Sequence, residues 1–207
     1  MKKISLILIL ILSIKVSAQV DVATGMGISF VNNPSLNEYL ENSWSNEEVY
    51  AFNSTAEFFL EVDFEITPTF QLGIEDAYTL FSYNNFVGFT NYEIKYGHHK
   101  PSLLAYYVIS GEGYKFKFGC GAGIRFVDLS EKIYTEKKYS TSGFGFLLRT
   151  QGHTKLGGNF YANVGGTMRF DFPGEPSNGD DTIGRINENV NLNSFSVSVD
   201  IGISYFF

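Results

Sequence analysis

The end of the chain alternates. Phe195, Val197, Val199, Ile201, Ile203, Tyr205 and Phe207 fall on one side, and Ser196, Ser198, Asp200, Gly202 and Ser204 on the other, with Phe206 the one exception. A helix would spread these two sets around its circumference. An extended strand sends successive side chains to opposite faces, so this segment is a strand between two very different environments.

The same period recurs throughout. From Leu156 to Asp171, Leu156, Phe160, Ala162, Val164, Met168 and Phe170 oppose Asn159, Tyr161, Asn163, Thr167 and Arg169. From Tyr114 to Phe126, Phe116, Phe118, Cys120, Ala122 and Ile124 oppose Lys115, Lys117, Gly119, Gly121, Gly123 and Arg125. From Glu57 to Ile66, Phe58, Leu60, Val62, Phe64 and Ile66 oppose Glu57, Phe59, Glu61, Asp63 and Glu65. Weaker alternation covers Val20–Val31, Phe70–Phe81 and Phe144–Gly152. A further strand falls at Leu103–Ser110 with its phase open, and Pro101 implies a break or bulge at its start. The total is eight strands.

Connections alternate in length. Short links fall near Thr67–Thr69, Gly111–Gly113 and Gly152–Lys155. Long ones span Asn32–Asn53, Ser82–Tyr92, Leu129–Thr141 and Phe172–Val190, with a short helix expected near Ser35–Asn42 in the first. Short turns at one end and long loops at the other are the habit of a transmembrane β-barrel. The predicted fold is all-β, an eight-stranded antiparallel up-and-down transmembrane barrel.

A secreted ligand-binding barrel would show the same period with its apolar face inward. Two features oppose that arrangement. An eight-stranded interior is only just wide enough for side chains, and this apolar face carries too many bulky residues to enclose. Glycines also sort by face: Gly25, Gly27, Gly73, Gly119, Gly121, Gly123, Gly143, Gly145, Gly157, Gly165 and Gly202 lie with the polar set, against Gly158 and Gly166. Small residues suit the crowded concave side. The polar face therefore points in and the bulky apolar face meets lipid.

No apolar run reaches the ~18 residues of a membrane-spanning helix. Met1-Lys2-Lys3, an apolar stretch from Ile4 to Ile14 and small residues at Val16-Ser17-Ala18 have the form of a secretory signal peptide. Residues 1–19 are expected to be removed, leaving the barrel at 20–207 as an exported protein. No cysteine lies near the cleavage site, which excludes a lipoprotein anchor. Lys2, Lys3 and Lys15 leave with the leader, so fifteen bases become twelve against twenty-two acids, a net charge of −10. So acidic a chain is a poor nucleic-acid partner. The single Cys120 excludes a disulfide framework, a cysteine zinc finger and an iron–sulfur site.

An export signal, eight amphipathic strands and an aromatic last strand ending in Phe207 resemble the small outer-membrane β-barrels of Gram-negative bacteria, of the OmpX type and the OmpA barrel domain. The resemblance is one of pattern across residues 20–207 and carries no catalytic motif. It implies residence in outer-membrane lipid. It also implies that Val199, Ile201, Ile203, Tyr205 and Phe207 are read by the barrel-assembly machinery. Unlike the OmpA type, the chain is expected to have no periplasmic peptidoglycan-binding domain.

By the assigned phase, Asp21, Glu57, Glu61, Asp63, Glu65, Glu75 and Asp200 point inward, with Lys115, Lys117, Arg125, Arg149 and Arg169. Acids come mainly from the second and third strands, bases from the fifth to the seventh, so the sets face each other across a narrow interior. Counting from the short turns places Asp63, Glu65, Lys115, Lys117 and Arg149 near one level. Buried charges need partners, which makes this an interior ionic network that plugs the barrel. A narrow ion or small-solute path lined by the same groups is the alternative.

Catalysis would need a positioned His with a Ser or an acid. His98, His99 and Ser102 beside the fourth strand, and His153 in a short turn, are the candidates. His98-His99-Lys100-Pro101-Ser102 lacks the His-x-Ser arrangement of the barrel deacylases. Adjacent histidines on a strand point to opposite faces, which weakens a metal reading, and no metal or other cofactor is expected. The outer loops are acidic, with Glu38, Glu41, Glu47 and Glu48 in the first and Glu175, Asp180, Asp181 and Glu188 in the last. The spacing of Asn178-Gly179-Asp180-Asp181 does not match a calcium loop of the EF-hand kind. Trp44, Tyr39 and Tyr50 add aromatic contacts. The reading is a solvated loop crown on a non-enzymatic barrel, with an extracellular partner met through the loops; a lipid-modifying enzyme ranks third.

Overall fold

A computed structural model describes residues 19–43, 53–87, 90–179, 181–185 and 188–207. Most of the expected leader lies outside the described residues, as do Trp44, Glu47, Glu48, Tyr50 and Asp180. The strands are β1 (Val20–Asn32), β2 (Ser54–Thr67), β3 (Phe70–Val87), β4 (Thr90–His99), β5 (Ser102–Gly111), β6 (Tyr114–Lys132), β7 (Glu136–Gly157) and β8 (Phe160–Phe172). Four two-residue strands follow: β9 (Ser177–Asn178), β10 (Asp181–Thr182), β11 (Gly184–Arg185) and β12 (Glu188–Asn189). Then comes β13 (Ser194–Phe206), and one helix, α1 (Pro34–Ser43), sits between β1 and β2.

The long strands pair antiparallel in chain order, and β1 closes on β13 from Asp21 opposite Phe206 to Asn32 opposite Phe195. β4 and β5 are two halves of one stave. Pro101 interrupts the hydrogen bonding but not the register, since Tyr78 faces His99 and Glu75 faces Ser102 along the same line. The ring therefore has eight staves, as the alternation predicts. The stave's phase, open in the sequence, is now fixed: Ser102, Leu104, Tyr106 and Val108 are buried inside, while Leu103, Tyr107 and Ile109 face out.

Short links join β2 to β3, β5 to β6 and β7 to β8. The third is not where the sequence suggests. β7 runs through Gly152–Lys155 and turns at Gly158–Asn159, where Gly158 takes a φ of +55°. A left-handed residue is what a two-residue hairpin turn demands. Leu156 thus lies at the end of β7 rather than opening β8. Gly157, the last residue of β7, pairs with Phe160 beside the turn and lies outside the packed interior, with nothing within 4 Å of the place a Cβ would occupy. At the other end α1 forms as expected. Asn33 caps it by accepting the amide of Leu36 at 3.0 Å, and Pro34 supplies a first turn that needs no donor.

Outward residues make an apolar band. On β6 it runs from Phe116 to Phe126, about ten residue steps at ~3.4 Å and ~40° tilt, or roughly 26 Å, close to the height of a hydrocarbon core. Aromatic rings gather at both margins. Phe160, Tyr205 and Phe207 cluster at the short-turn end with centroids 5.0 and 4.6 Å apart, and Phe144 and Phe172 pair at 5.4 Å near the other. Such girdles mark the two interfaces of a membrane barrel.

Above Phe126 the polarity turns inside out. The inward sequence Gly121, Gly123, Arg125 continues as Val127 and Leu129, both buried, while the outward sequence Ile124, Phe126 continues as Asp128 and Ser130. The stretches expected as loops at Ser82–Tyr92 and Leu129–Thr141 are therefore largely strand. β3 pairs with β4 up to Val87 opposite Thr90, and β6 with β7 up to Lys132 opposite Glu136. In water a barrel wall keeps its apolar residues inside, so the lipid rule stops applying where the membrane stops. Leu36 and Leu40 of α1, with Ile183, Val190 and Leu192, pack onto Tyr92, Ile94, Val127 and Leu129. The crown is a folded apolar cap rather than a solvated set of loops, though Glu38, Glu41, Glu175 and Asp181 on its surface are exposed.

Candidate functional site

The interior is built from the short-turn end upward. Phe206, the residue that breaks the last strand's alternation, points in. It stacks on Tyr161 at 4.1 Å and lies beneath the ammonium of Lys115, 4.1 Å from the ring centroid. Lys115 also donates to Asp21 at 2.7 Å. Lys117 bridges Asp21 at 3.3 Å and Asp63 at 2.5 Å.

The next level centres on Arg149. Its guanidinium meets Glu75, Glu61 at 3.4 Å and Asp200 at 3.5 Å, and lies 4.4 Å over the ring of Phe59. Tyr106 and Gln151 each donate to Glu61 at 3.0 Å. Arg169 donates to the second oxygen of Glu75 at 2.6 Å and approaches Glu57 at 3.7 Å. Higher still, Lys100 joins Glu57 at 3.1 Å and Asp171 at 3.8 Å, and Asp171 accepts from Nε of Arg125. Arg125 also donates to Ser102 at 3.1 Å. His98, bonded to the Tyr96 hydroxyl at 2.9 Å, marks the passage to the apolar crown.

Glycines make this column possible. A Cβ on Gly73 would collide with Asp63, one on Gly145 with Arg125 and Asp171, and one on Gly165 with Asp200. The wall gives up side chains where the interior charges need the volume.

Of the inward charges named from sequence, all but Glu65 join this column. Glu65 is half-buried at the short-turn mouth, lining a cavity of about 230 Å³ with Lys115 and Phe206, and no ion pair involves it among the described residues. The single level expected for Asp63, Glu65, Lys115, Lys117 and Arg149 is in fact two, because strand tilt lifts Arg149 to the level of Glu61 and Glu75. Sequence reasoning misses Lys100 and Asp171. Asp171 continues the phase of Arg169, which is signal enough; Lys100 sits beside Pro101 in the stave whose phase the sequence leaves open. With them, the buried charges are Asp21, Glu57, Glu61, Asp63, Glu75, Asp171 and Asp200 against Lys100, Lys115, Lys117, Arg125, Arg149 and Arg169.

The residues weighed for catalysis scatter. His98 is buried and His99 faces out, where it meets Asp76 at 3.2 Å and stacks on Tyr78 at 4.2 Å. Both lie within β4. Ser102 is engaged by Arg125. His153, placed in a turn by the sequence, lies inside β7 and bonds Ser204 at 3.0 Å and Gln151 at 3.3 Å. That imidazole–hydroxyl pair is buried, with Phe206 beside it at 5.4 Å. Among the described residues no three His, Cys, Asp or Glu are grouped to hold a metal. Val199, Ile201, Ile203 and Phe207 are exposed on the outer wall and Tyr205 is half-buried in it.

No family model matches the chain, and no curated protein does. Solved structures match in fold. The attachment invasion locus protein Ail of Yersinia pestis, in complex with the heparin analogue sucrose octasulfate, aligns with a TM-score of 0.57 at 9% identity, covering 92% of this chain and 99% of that one. Neisserial surface protein A aligns at 0.53 and 11% identity over 91% and 97%. A major outer membrane protein of Thermus thermophilus aligns at 0.53 and 9% identity over 91% and 99%. The fold is that of the small outer-membrane β-barrels.

Proposed function

We propose that this chain, with the fold of the small outer-membrane β-barrels, is a non-enzymatic surface protein of the bacterial outer membrane. Its barrel is closed by an ionic plug, and its work is done by the crown. The observation that carries this reading is the column of paired charges lying beneath the apolar cap. Charges taken out of water are tolerated when paired and hydrogen-bonded, and a column so engaged has little reason to open.

Residues 1–19 then act as the export signal and 20–207 as the barrel. The outward band meets outer-membrane lipid, and Val199, Ile201, Ile203, Tyr205 and Phe207 present the strand that the assembly machinery reads. The crown meets an extracellular partner. Ail, solved with a heparin analogue, supports the idea of a small barrel with a binding surface. Here the exposed acids Glu38, Glu41, Glu175 and Asp181 disfavour a polyanion.

Conductance of the refolded protein in a planar bilayer tests the plug. Silence is expected. Discrete steps that change on neutralising Lys117 or Arg149 would replace the plug with the narrow ion path. That second reading draws on buried polar atoms without a hydrogen-bond partner among the described residues, such as both side-chain atoms of Asn163 and the hydroxyl of Thr167. Trimming Pro34–Glu48 and Pro173–Glu188 tests the crown, and unchanged adhesion would count against it.

A further inference from the structure

The crown contains a cavity that closing the barrel does not require. It measures about 410 Å³, within the range of small-molecule sites, and opens between the β6–β7 tip, α1 and β10. Tyr39 of α1, Tyr134 of the tip and Tyr139 of β7 wall it, with Glu131 and Lys137 between them. Tyr39 and Tyr92 both donate to Oε1 of Glu131, at 2.8 and 2.9 Å, so the carboxylate is held in a fixed orientation. Tyr139 is buried in the wall and offers a phenolic hydroxyl as donor. Tyr134 is 84% exposed at the hairpin tip, where folding gains nothing from a ring.

We infer that this cavity is a carbohydrate site that takes a neutral sugar unit of a glycan presented from outside. The inference rests on the outward-facing crown proposed above. A pyranose ring has an apolar face of C–H groups and an edge of hydroxyls, each both donor and acceptor. Tyrosine offers a flat apolar body with a polar tip, which matches the face. Glu131 accepts and Lys137 donates, which matches adjacent hydroxyls on the edge. Lys137 is paired with Asp181 at 3.4 Å, so with Glu131 the described residues of the site carry one more acid than base. The ligand therefore needs no negative charge, and the acidic surface around the site repels a sulfated one.

The test uses the full protein in lipid nanodiscs and saturation-transfer NMR with lactose, maltose, chitobiose and heparin. Transfer to the ring C–H protons of at least one neutral disaccharide is expected, with affinity reduced at least tenfold in Tyr134→Ala and in Glu131→Gln and no transfer to heparin. Tyr134 is exposed, so its variant should keep the heat-modifiable migration of the folded barrel. Failure of all three neutral sugars, binding of heparin alone, or binding unchanged in Tyr134→Ala would overturn the site. Labelling a Thr135→Cys variant on intact cells with a membrane-impermeant maleimide separates the two levels. Labelling without sugar binding sinks the carbohydrate site alone; absence of labelling sinks the outward crown on which it rests.

Discussion

Asp21 and Asp63 stand directly opposite each other across β1 and β2, and the ammonium of Lys117 touches both. Like charges placed directly across a ladder repel; Lys115 also pairs with Asp21, but Lys117 from the far wall is the lysine that bridges both carboxylates. Replacing it exposes the repulsion. Lys117→Met should cost about 3–5 kcal/mol, the range for breaking a buried pair by removing one partner. Adding Asp63→Asn should recover a substantial part. Urea unfolding of the two variants in lipid vesicles measures the difference, and equal stability would show that Lys117 is not the bridge.

Among the described residues the column holds one more acid than base, and geometry indicates which acid is least engaged. Asp200 has its ion pair at 3.5 Å, to an Arg149 that also serves Glu75 and Glu61, whereas Glu75 is gripped by both Arg149 and Arg169. Asp200→Asn is expected to change stability by less than about 1 kcal/mol, and Glu75→Gln to cost about 3–5 kcal/mol. The same unfolding assay ranks them, and a reversed order would mean that the charge is balanced elsewhere.

Two glycines with opposite surroundings test the idea that the wall yields space to the charges. A methyl on Gly145 meets Arg125 and Asp171, so Gly145→Ala should cost about 1–3 kcal/mol as overpacking. Gly157→Ala, with open space around it, should be close to neutral. Comparable losses at both sites would show that backbone freedom and not volume is what these positions require.

The outer wall gives a depth-dependent expectation. Leu148 lies outward on β7 within the apolar band, and Leu148→Lys should cost about 2–4 kcal/mol if near the bilayer midplane. Lys95 lies outward above the band, 58% exposed, and Lys95→Leu should change stability by less than about 0.5 kcal/mol. Refolding yields and unfolding midpoints in vesicles of defined thickness read both.

The last strand carries a kinetic expectation. Phe207→Ala should slow insertion into the outer membrane of living cells several-fold while leaving spontaneous refolding into vesicles nearly unchanged. Pulse-chase appearance of the heat-modifiable form in cells, set beside refolding rates in vitro, separates an assembly signal from a residue that merely contacts lipid. Equal slowing in both would favour mere contact.

Much of this architecture can be read in the sequence because a membrane imposes one rule on every strand within it. Phe195–Phe207 and Tyr114–Phe126 obey that rule, and their strands lie where the alternation puts them. Where the wall leaves lipid the rule reverses, so the alternation breaks at Phe126-Val127 as it would at a strand end. Residues 82–84 of β3 and the upper part of β7 are hidden in the same way. The turn after β7 is expected too early because Gly152 resembles a turn residue, although it packs against the ring of Phe116 in the wall. Phe206 shows in the sequence as an irregularity; only the closed barrel reveals that the odd residue faces inward. The cavity of the crown gives no signal at all, since Tyr39 stands 92 residues from Glu131 in the chain and meets the β6–β7 hairpin only in the folded crown.

The reversal at Arg125–Val127 also fixes how deep the molecule rides. Sinking by one residue pair would draw Asp128 into hydrocarbon, and rising by one would lift Phe126 into water. Each step is penalised in its own direction, so the barrel has a waterline, and the crown is held at a constant height above it however the surrounding lipid flows.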